Sequence, residues 1–368
     1  MRGVAITAYA TAKFRRKSEL SLFEVACEPC RDILAENEAL RKQIDAVLFS
    51  SCSVEQYGSS IISEMLGLNP RISHRIDNMC NSGTNAIVSA FSYISSGLCD
   101  SVLVVGADEV GNPGQQLTWD ITRGEYGLPV HWAAMFAKAH MRKYGTTEEQ
   151  MAAVSVKNHL NASNNPSALY TQPVTFEKVL KSDKVVPPLK ILDCSSLCTG
   201  SSAILLSSGE KAKRISEIPV WIKGIGQQTN GASLSMVSDD LTSIDAAKKA
   251  ASDAYEMASI DSESVDVVEL HDAFTILEII AYEDLQLTRR GEGGKFVTQC
   301  EISINPRGGL LGCGHPVGAT GVAQVAEIAM QLSGKAVARQ VKGCKTGLIH
   351  NLAAAGTSAT VLILGVDH

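Results

Sequence analysis

Three segments of this chain carry side chains that could do chemistry together. Cys80 stands in Asp77-Asn78-Met79-Cys80-Asn81-Ser82-Gly83-Thr84, where an extended stretch gives way to a helical run over 84–96. A thiol at a helix N-terminus faces the positive end of the macrodipole and free amide hydrogens. Its pKa is expected to fall below the free value of about 8.5, which favours the nucleophilic thiolate. Alone, a cysteine among small residues is more often a packing residue. His271-Asp272-Ala273-Phe274 and Gly314-His315-Pro316-Val317-Gly318-Ala319-Thr320-Gly321 supply imidazoles, whose pKa near neutrality suits a group that takes a thiol proton and returns it. The set points to Cys/His acyl transfer. His350-Asn351, near the C-terminus, is a further candidate pair, with a core histidine as its plain alternative. Asp272 reads as a capping or orienting group. The Gly-rich stretch 310–321 could be a tight loop or a phosphate cradle, but it lacks the Lys-Ser/Thr ending of a P-loop, so nucleotide hydrolysis is excluded.

The elements that must hold these residues follow from the bulk pattern. A chain of 368 residues is long enough for an internal duplication, and a net charge of −6 offers no basic surface for nucleic acid. No stretch has the length of a spanning helix, and the N-terminal apolar run is cut short by Lys13, Arg15, Arg16 and Lys17, so a cytoplasmic protein is expected. The 10 cysteines are scattered rather than framed. Cys27-Glu28-Pro29-Cys30 has redox spacing but sits in helical periodicity, and Cys194 and Cys198 lack a matching Cys/His pair, so both read as structural and no metal site is expected.

Short apolar runs at 46–50 and 102–106 read as strands buried on both faces, with a helix through Ile87–Ile94 between them. Residues 265–270 and 361–364 read the same way around a helix at 319–332, so both halves are α/β. The halves also resemble each other. Ile44-Asp45-Ala46-Val47-Leu48-Phe49 matches Val265-Asp266-Val267-Val268-Glu269-Leu270, and Cys80-Asn81-Ser82-Gly83 matches His315-Pro316-Val317-Gly318. A duplication would set Cys80 and His315 at equivalent helix starts that meet at the interface of two similar domains. The less regular region 112–188, with turns at Asn112-Pro113-Gly114, Asn164-Asn165-Pro166 and Pro187-Pro188, reads as an insertion that covers the site. Helices are expected in it at 133–144 and 147–160, the second opened by Thr147 and Glu149-Gln150.

These motifs, with Tyr144-Gly145-Thr146-Thr147, Lys157-Asn158-His159, Leu192-Asp193-Cys194-Ser195 and His350-Asn351-Leu352-Ala353, occur in the order found in the thiolases. The chain resembles their archaeal and sterol-carrier-protein-like branch over nearly its whole length. The resemblance implies a duplicated α/β thiolase-like fold, two similar α/β/α halves in five layers. The halves would be 1–111 with 189–217, and 218–368, around the inserted loop domain 112–188. It implies that Cys80 attacks an acyl-CoA thioester, His315 takes the thiol proton, and His271 lines the pocket of the enolate oxygen. The backbone amides of Cys80 and Ala353 would hold the tetrahedral oxyanion. Coenzyme A is then a substrate, with no bound cofactor, and acetoacetyl-CoA the expected short 3-ketoacyl-CoA. A homodimer or homotetramer is implied, along with association with a small zinc-ribbon/OB-fold protein and with hydroxymethylglutaryl-CoA synthase. Two rival readings are a fold-related retro-aldol lyase and a partner-dependent subunit. The chain departs from the family where a second catalytic cysteine often stands: it reads Asn351-Leu352-Ala353 in place of Cys-x-Gly, and Ala273 where sterol-carrier-type enzymes have a thiol. Proton transfer at the α-carbon then falls to His271, His350 or another group. Ala353 would be strained if its site needs positive φ.

Overall fold

The computed structural model describes residues 2–111, 128–234, 239–354 and 356–366. The first part of the expected insertion, with Asn112-Pro113-Gly114, lies outside the described residues. The first half runs β1 (Val4–Thr11), α1 (Leu22–Glu36), β2 (Ala46–Ser50), α2 (Gly58–Met65), β3 (Ile72–Ile76), α3 (Ser82–Ser95) and β4 (Ser101–Asp108). Three helices follow, α4 (Pro129–Tyr144), α5 (Glu148–Ala162) and α6 (Phe176–Leu180), with a small hairpin of β5 (Lys184–Val186) and β6 (Leu189–Lys190). Then come β7 (Gly200–Ser208), α7 (Gly209–Ile215), β8 (Val220–Thr229), α8 (Asp245–Ala258), β9 (Val267–Glu269), α9 (Thr275–Asp284), α10 (Gly293–Gln299), β10 (Ser303–Ile304), α11 (Gly309–Cys313), α12 (Val317–Leu332), β11 (Thr346–Ala353) and β12 (Ser358–Gly365).

The strand order β10-β9-β11-β12-β8-β1-β7-β4-β2-β3 reads as one half followed by its mirror-ordered copy. β3, β2, β4, β7 and β1 correspond in turn to β10, β9, β11, β12 and β8, with the same parallel and antiparallel pairings on both sides. Two residue pairs, Ala5 with Trp221 and Ile6 with Val220, join the halves. The short match seen in the sequence has a physical basis. Asp45 Oδ2 accepts the amides of Asp100 and Ser101 at 2.8 and 3.0 Å, while Asp266 Oδ2 accepts those of Lys345 and Thr346 at 2.7 and 2.9 Å. In each half one carboxylate fixes where the next parallel strand begins.

Strand residues alternate between two cores, as a period of two requires. Val47, Phe49, Leu103 and Val105 pack outward on α1 and α2, whereas Leu48, Val104, Ile204 and Leu206 face α3 and α12. In the second half Ile349, Leu362 and Leu364 face the same two helices, and Leu348, Val361 and Ile363 face α8 and α9. The layers are thus helix, sheet, a helix pair, sheet and helix. α4 and α5 pack on the last of these through Trp132, Phe136, Met151 and Val154. α5 begins with a capping box in which Thr147 accepts the Gln150 amide and Gln150 returns the bond.

Candidate active site

Cys80 precedes α3 and His315 precedes α12, each two residues before the first helical residue. Met79, with φ +49, turns the chain sharply into Cys80. The Ser82 hydroxyl braces that turn, accepting from the Asn78 amide at 2.7 Å and donating to the Met79 carbonyl at 2.6 Å. Glycines let the two helices touch. A Cβ on Gly83 would lie 2.7 Å from the Val322 amide nitrogen, and one on Gly321 would lie 2.7 Å from that of Thr84. The Gly-rich stretch therefore serves close helix packing rather than a phosphate. Asp108, at the end of β4, seats the start of α12 by accepting the Gly318 amide at 2.7 Å, and it also takes the Ser51 hydroxyl and the Cys52 amide.

The packing leaves His315 Nε2 3.2 Å from Cys80 Sγ, and His315 Nδ1 2.7 Å from Thr320 Oγ1. With the thiol donating, Nε2 accepts and Nδ1–H is left for Thr320. His271 meets the His315 ring edge-on with centroids 5.2 Å apart, and its Nε2 is buried with no hydrogen-bond partner. Cys80, His271 and His315 each bring a donor atom within 4.8 Å of the others, the one such group of possible metal ligands among the described residues.

Electrostatics correct one expectation. Burial pushes the Cys80 thiol up to about 12; the amides of Ala354 and of Cys80 itself aim at the sulfur and oppose the shift without overcoming it. His315 is lowered to about 3, by burial first and then by the Arg307 guanidinium. The helix terminus is present, but loss of solvent outweighs it. The resting pair is a thiol beside a neutral imidazole, not a preformed thiolate.

The other expected residues fall in different places. The amide turned to the sulfur belongs to Ala354, one residue beyond Ala353; Ala353 pairs with Ser358 in the β11–β12 ladder, and the positive φ, +54, falls on Ala354. Asn351 Nδ2 reaches His271 Nδ1 at 3.2 Å. His350, the neighbour of Asn351 on β11, projects from the other face of the strand by alternation, and both of its ring nitrogens are buried without a hydrogen-bond partner. Asp272 caps, taking the Leu310 and Leu311 amides at 2.7 and 3.3 Å at the start of α11. Asp108, Thr320, Gln324 and Ala354 were not singled out from sequence. The readable signal was a hydroxyl and an amide at i+5 and i+9 from His315, interrupting an otherwise apolar helix.

A cavity of about 380 Å³ opens on Cys80 and His315, with Met79, Val130, Phe274 and Val317 among its apolar walls. Leu128 and Pro129 at the start of α4, and Val185 of β5, close it from the segment between β4 and β7. A thiol-imidazole pair under an apolar roof, with amides and an unpartnered imidazole nitrogen beside it, is suited to a thioester and its oxyanions.

Models of the thiolase N-terminal domain and the thiolase C-terminal domain-like family match residues 4–188 and 226–366. The chain belongs to the thiolase family. This thiolase is 36% identical to an acetyl-CoA acetyltransferase of Methanothermobacter thermautotrophicus over 99% of both chains. It is 34% identical to one of Methanocaldococcus jannaschii over 99% of this chain and 98% of that one. Human sterol carrier protein 2 is 31% identical over 83% of this chain and 60% of its own length. Among solved structures, an Ltp2-ChsH2(DUF35) aldolase has a TM-score of 0.89 at 22% identity, covering 100% of this chain and 98% of that one. An acetyl-CoA acetyltransferase from Syntrophomonas wolfei has a TM-score of 0.77 at 18% identity over 100% of both. At such identities these two speak for the fold. As a thiolase the protein is an acyltransferase, and no helix among the described residues is long and apolar enough to cross a membrane.

Proposed function

We propose that this thiolase interconverts a short 3-ketoacyl-CoA, acetoacetyl-CoA in the first instance, with CoA and acetyl-CoA through an acyl-enzyme on Cys80. The 3.2 Å contact of Cys80 Sγ with His315 Nε2 inside the apolar cavity carries the reading. The Cys80 proton passes to His315 Nε2 as the sulfur bonds to C3 of the substrate. The carbonyl electron pair moves to oxygen, opposite the amides of Cys80 and Ala354. Collapse breaks the C2–C3 bond, and its electron pair becomes an enolate whose oxygen accepts a hydrogen bond from His271 Nε2–H. His315 then gives its proton to C2, releasing acetyl-CoA. The CoA sulfur then attacks the acyl carbonyl carbon; collapse breaks the bond from that carbon to Cys80 Sγ, and the CoA proton passes through His315 to the departing sulfur. Because burial disfavours the free thiolate, the thiol needs His315 beside it to take its proton for the attack. His315 acting both ways removes the need for a second cysteine.

A second cavity, about 630 Å³, shares Ile191, Cys194 and Ser196 with the first and is lined by Arg16, Lys178 and Tyr170. Its two cations suit the CoA diphosphate, with the pantetheine arm reaching Cys80 along the shared wall. The same reading takes the protein as a homo-oligomer with a covering domain over 112–188. It also includes association with a DUF35-type partner, like the one in the Ltp2-ChsH2(DUF35) aldolase.

The test is CoA-dependent cleavage of acetoacetyl-CoA, followed by product analysis. Two acetyl-CoA per turnover in the natural chain and none with Cys80→Ala are expected. Turnover retained in Cys80→Ala, or a retro-aldol product from a 3-hydroxyacyl-CoA, would overturn the reading.

A further inference from the structure

A short run of side-chain amides leads from α12 to His271. Gln324 Nε2 lies 3.3 Å from the His350 carbonyl oxygen, Asn351 Nδ2 lies 2.7 Å from Gln324 Oε1, and the same Nδ2 lies 3.2 Å from His271 Nδ1. Its polarity follows from the first link. A backbone carbonyl can only accept, so Gln324 turns its NH₂ to His350 and its oxygen to Asn351. Asn351 must answer with its own NH₂, which can only donate, so His271 Nδ1 accepts. A neutral imidazole whose Nδ1 accepts carries its proton on Nε2. Burial, with His315 and His350 nearby, holds the ring neutral by moving its pKa well below the ordinary value. Gln324, Asn351 and His271 are all fully buried, and His271 Nε2 has no partner. A buried N–H without an acceptor is costly to keep, so something must hold the proton there.

We propose that Gln324 is a positioning residue that, through Asn351, locks His271 in the Nε2–H tautomer and so reserves a buried donor for the enolate oxygen. The use of that donor rests on the acyl-transfer reading above; the lock does not. A protonated Nε2 has no lone pair to take a proton from carbon, so His271 is a donor and not the α-carbon base, and His315 is left to move that proton. Thr320 and Gln324 stand four residues apart on one face of α12. That face holds His315 with Nε2 accepting and His271 with Nε2 donating, two imidazoles in opposite tautomers for opposite tasks.

The experiment uses the full-length protein labelled with ¹⁵N-histidine, its His271 signals assigned by loss in His271→Gln, and compares it with Gln324→Met. The natural chain should show a protonated Nε2 and a bare Nδ1 at pH 7. In Gln324→Met, Asn351 is free to turn its oxygen to Nδ1, and the Nδ1–H form, which relieves the orphaned donor, should gain about tenfold. Cleavage of acetoacetyl-CoA should fall about as far, with KM little changed. Acetylation of Cys80 by acetyl-CoA, which uses the other oxyanion site, should stay within about twofold; a merely structural loss would slow both. A bare Nε2 in the natural chain, or a tautomer indifferent to Gln324→Met, overturns the lock. A tautomer that responds as expected in a protein with no cleavage activity upholds the lock and removes the acyl-transfer reading.

Discussion

Cys80 and His315 rest as an uncharged pair, and that has a direct chemical consequence. With the thiol at about 12, its alkylation by iodoacetamide should be slow at neutral pH and gain about tenfold per pH unit up to at least pH 10. A rate already level at pH 7 would mean a preformed thiolate and would restore the helix-terminus expectation. That Cys80 and His315 would meet was legible in the sequence because three segments, taken together, outweighed the packing role that Cys80 alone would suggest. The sign of the thiol's shift was not, because the number of atoms around a sulfur is a tertiary quantity. That the amide aimed at the sulfur belongs to Ala354 was hidden for a related reason: the turn after Ala353 decides which N–H swings toward Cys80. Gln324 escaped notice because its role lies in the direction of a hydrogen bond.

The pair exists only because α3 and α12 approach closely at their first turns. Gly83→Ala would put a methyl 2.7 Å from a backbone nitrogen that cannot move aside, so the helices must part. A stability loss of about 1–3 kcal/mol in urea melts is expected, with a much larger loss of kcat for acetoacetyl-CoA cleavage. Gly334→Ala is the control. There φ is +74 with no atom within 4 Å, so the cost should be about 1 kcal/mol of backbone strain and activity should hold. Equal loss of activity in both variants would break the link between helix spacing and chemistry. The long periodic elements were readable: the run at 46–50 is β2 itself and the helix expected at 319–332 is α12, begun two residues earlier. The run at 265–270 holds β9, shortened to Val267–Glu269, whereas the five-residue α11 was not read, since so short a helix takes its structure from its neighbours.

At the scale of the whole molecule, burying the site between two similar halves places neutral histidines in the interior. His315 and His350 are both lowered to about 3 and His271 well below its ordinary value, each chiefly by burial. Unfolded histidines take up protons near pH 6.5, so below that pH the unfolded chain binds more protons and the fold loses stability as pH falls toward 3. Each such histidine contributes a slope of up to about 1.4 kcal/mol per pH unit. His350→Leu removes one of them, with two unsatisfied nitrogens, and should flatten the fall of Tm between pH 6.5 and 4.5. A slope identical to that of the natural chain would deny that His350 is neutral in the fold. The most direct test of Cys80 as an acyl carrier weighs the intact protein after brief exposure to acetoacetyl-CoA. The natural chain should gain one acetyl group that added CoA removes, and Cys80→Ala should gain none; an unmodified natural chain that still cleaves the substrate, or an adduct that survives in Cys80→Ala, would contradict it.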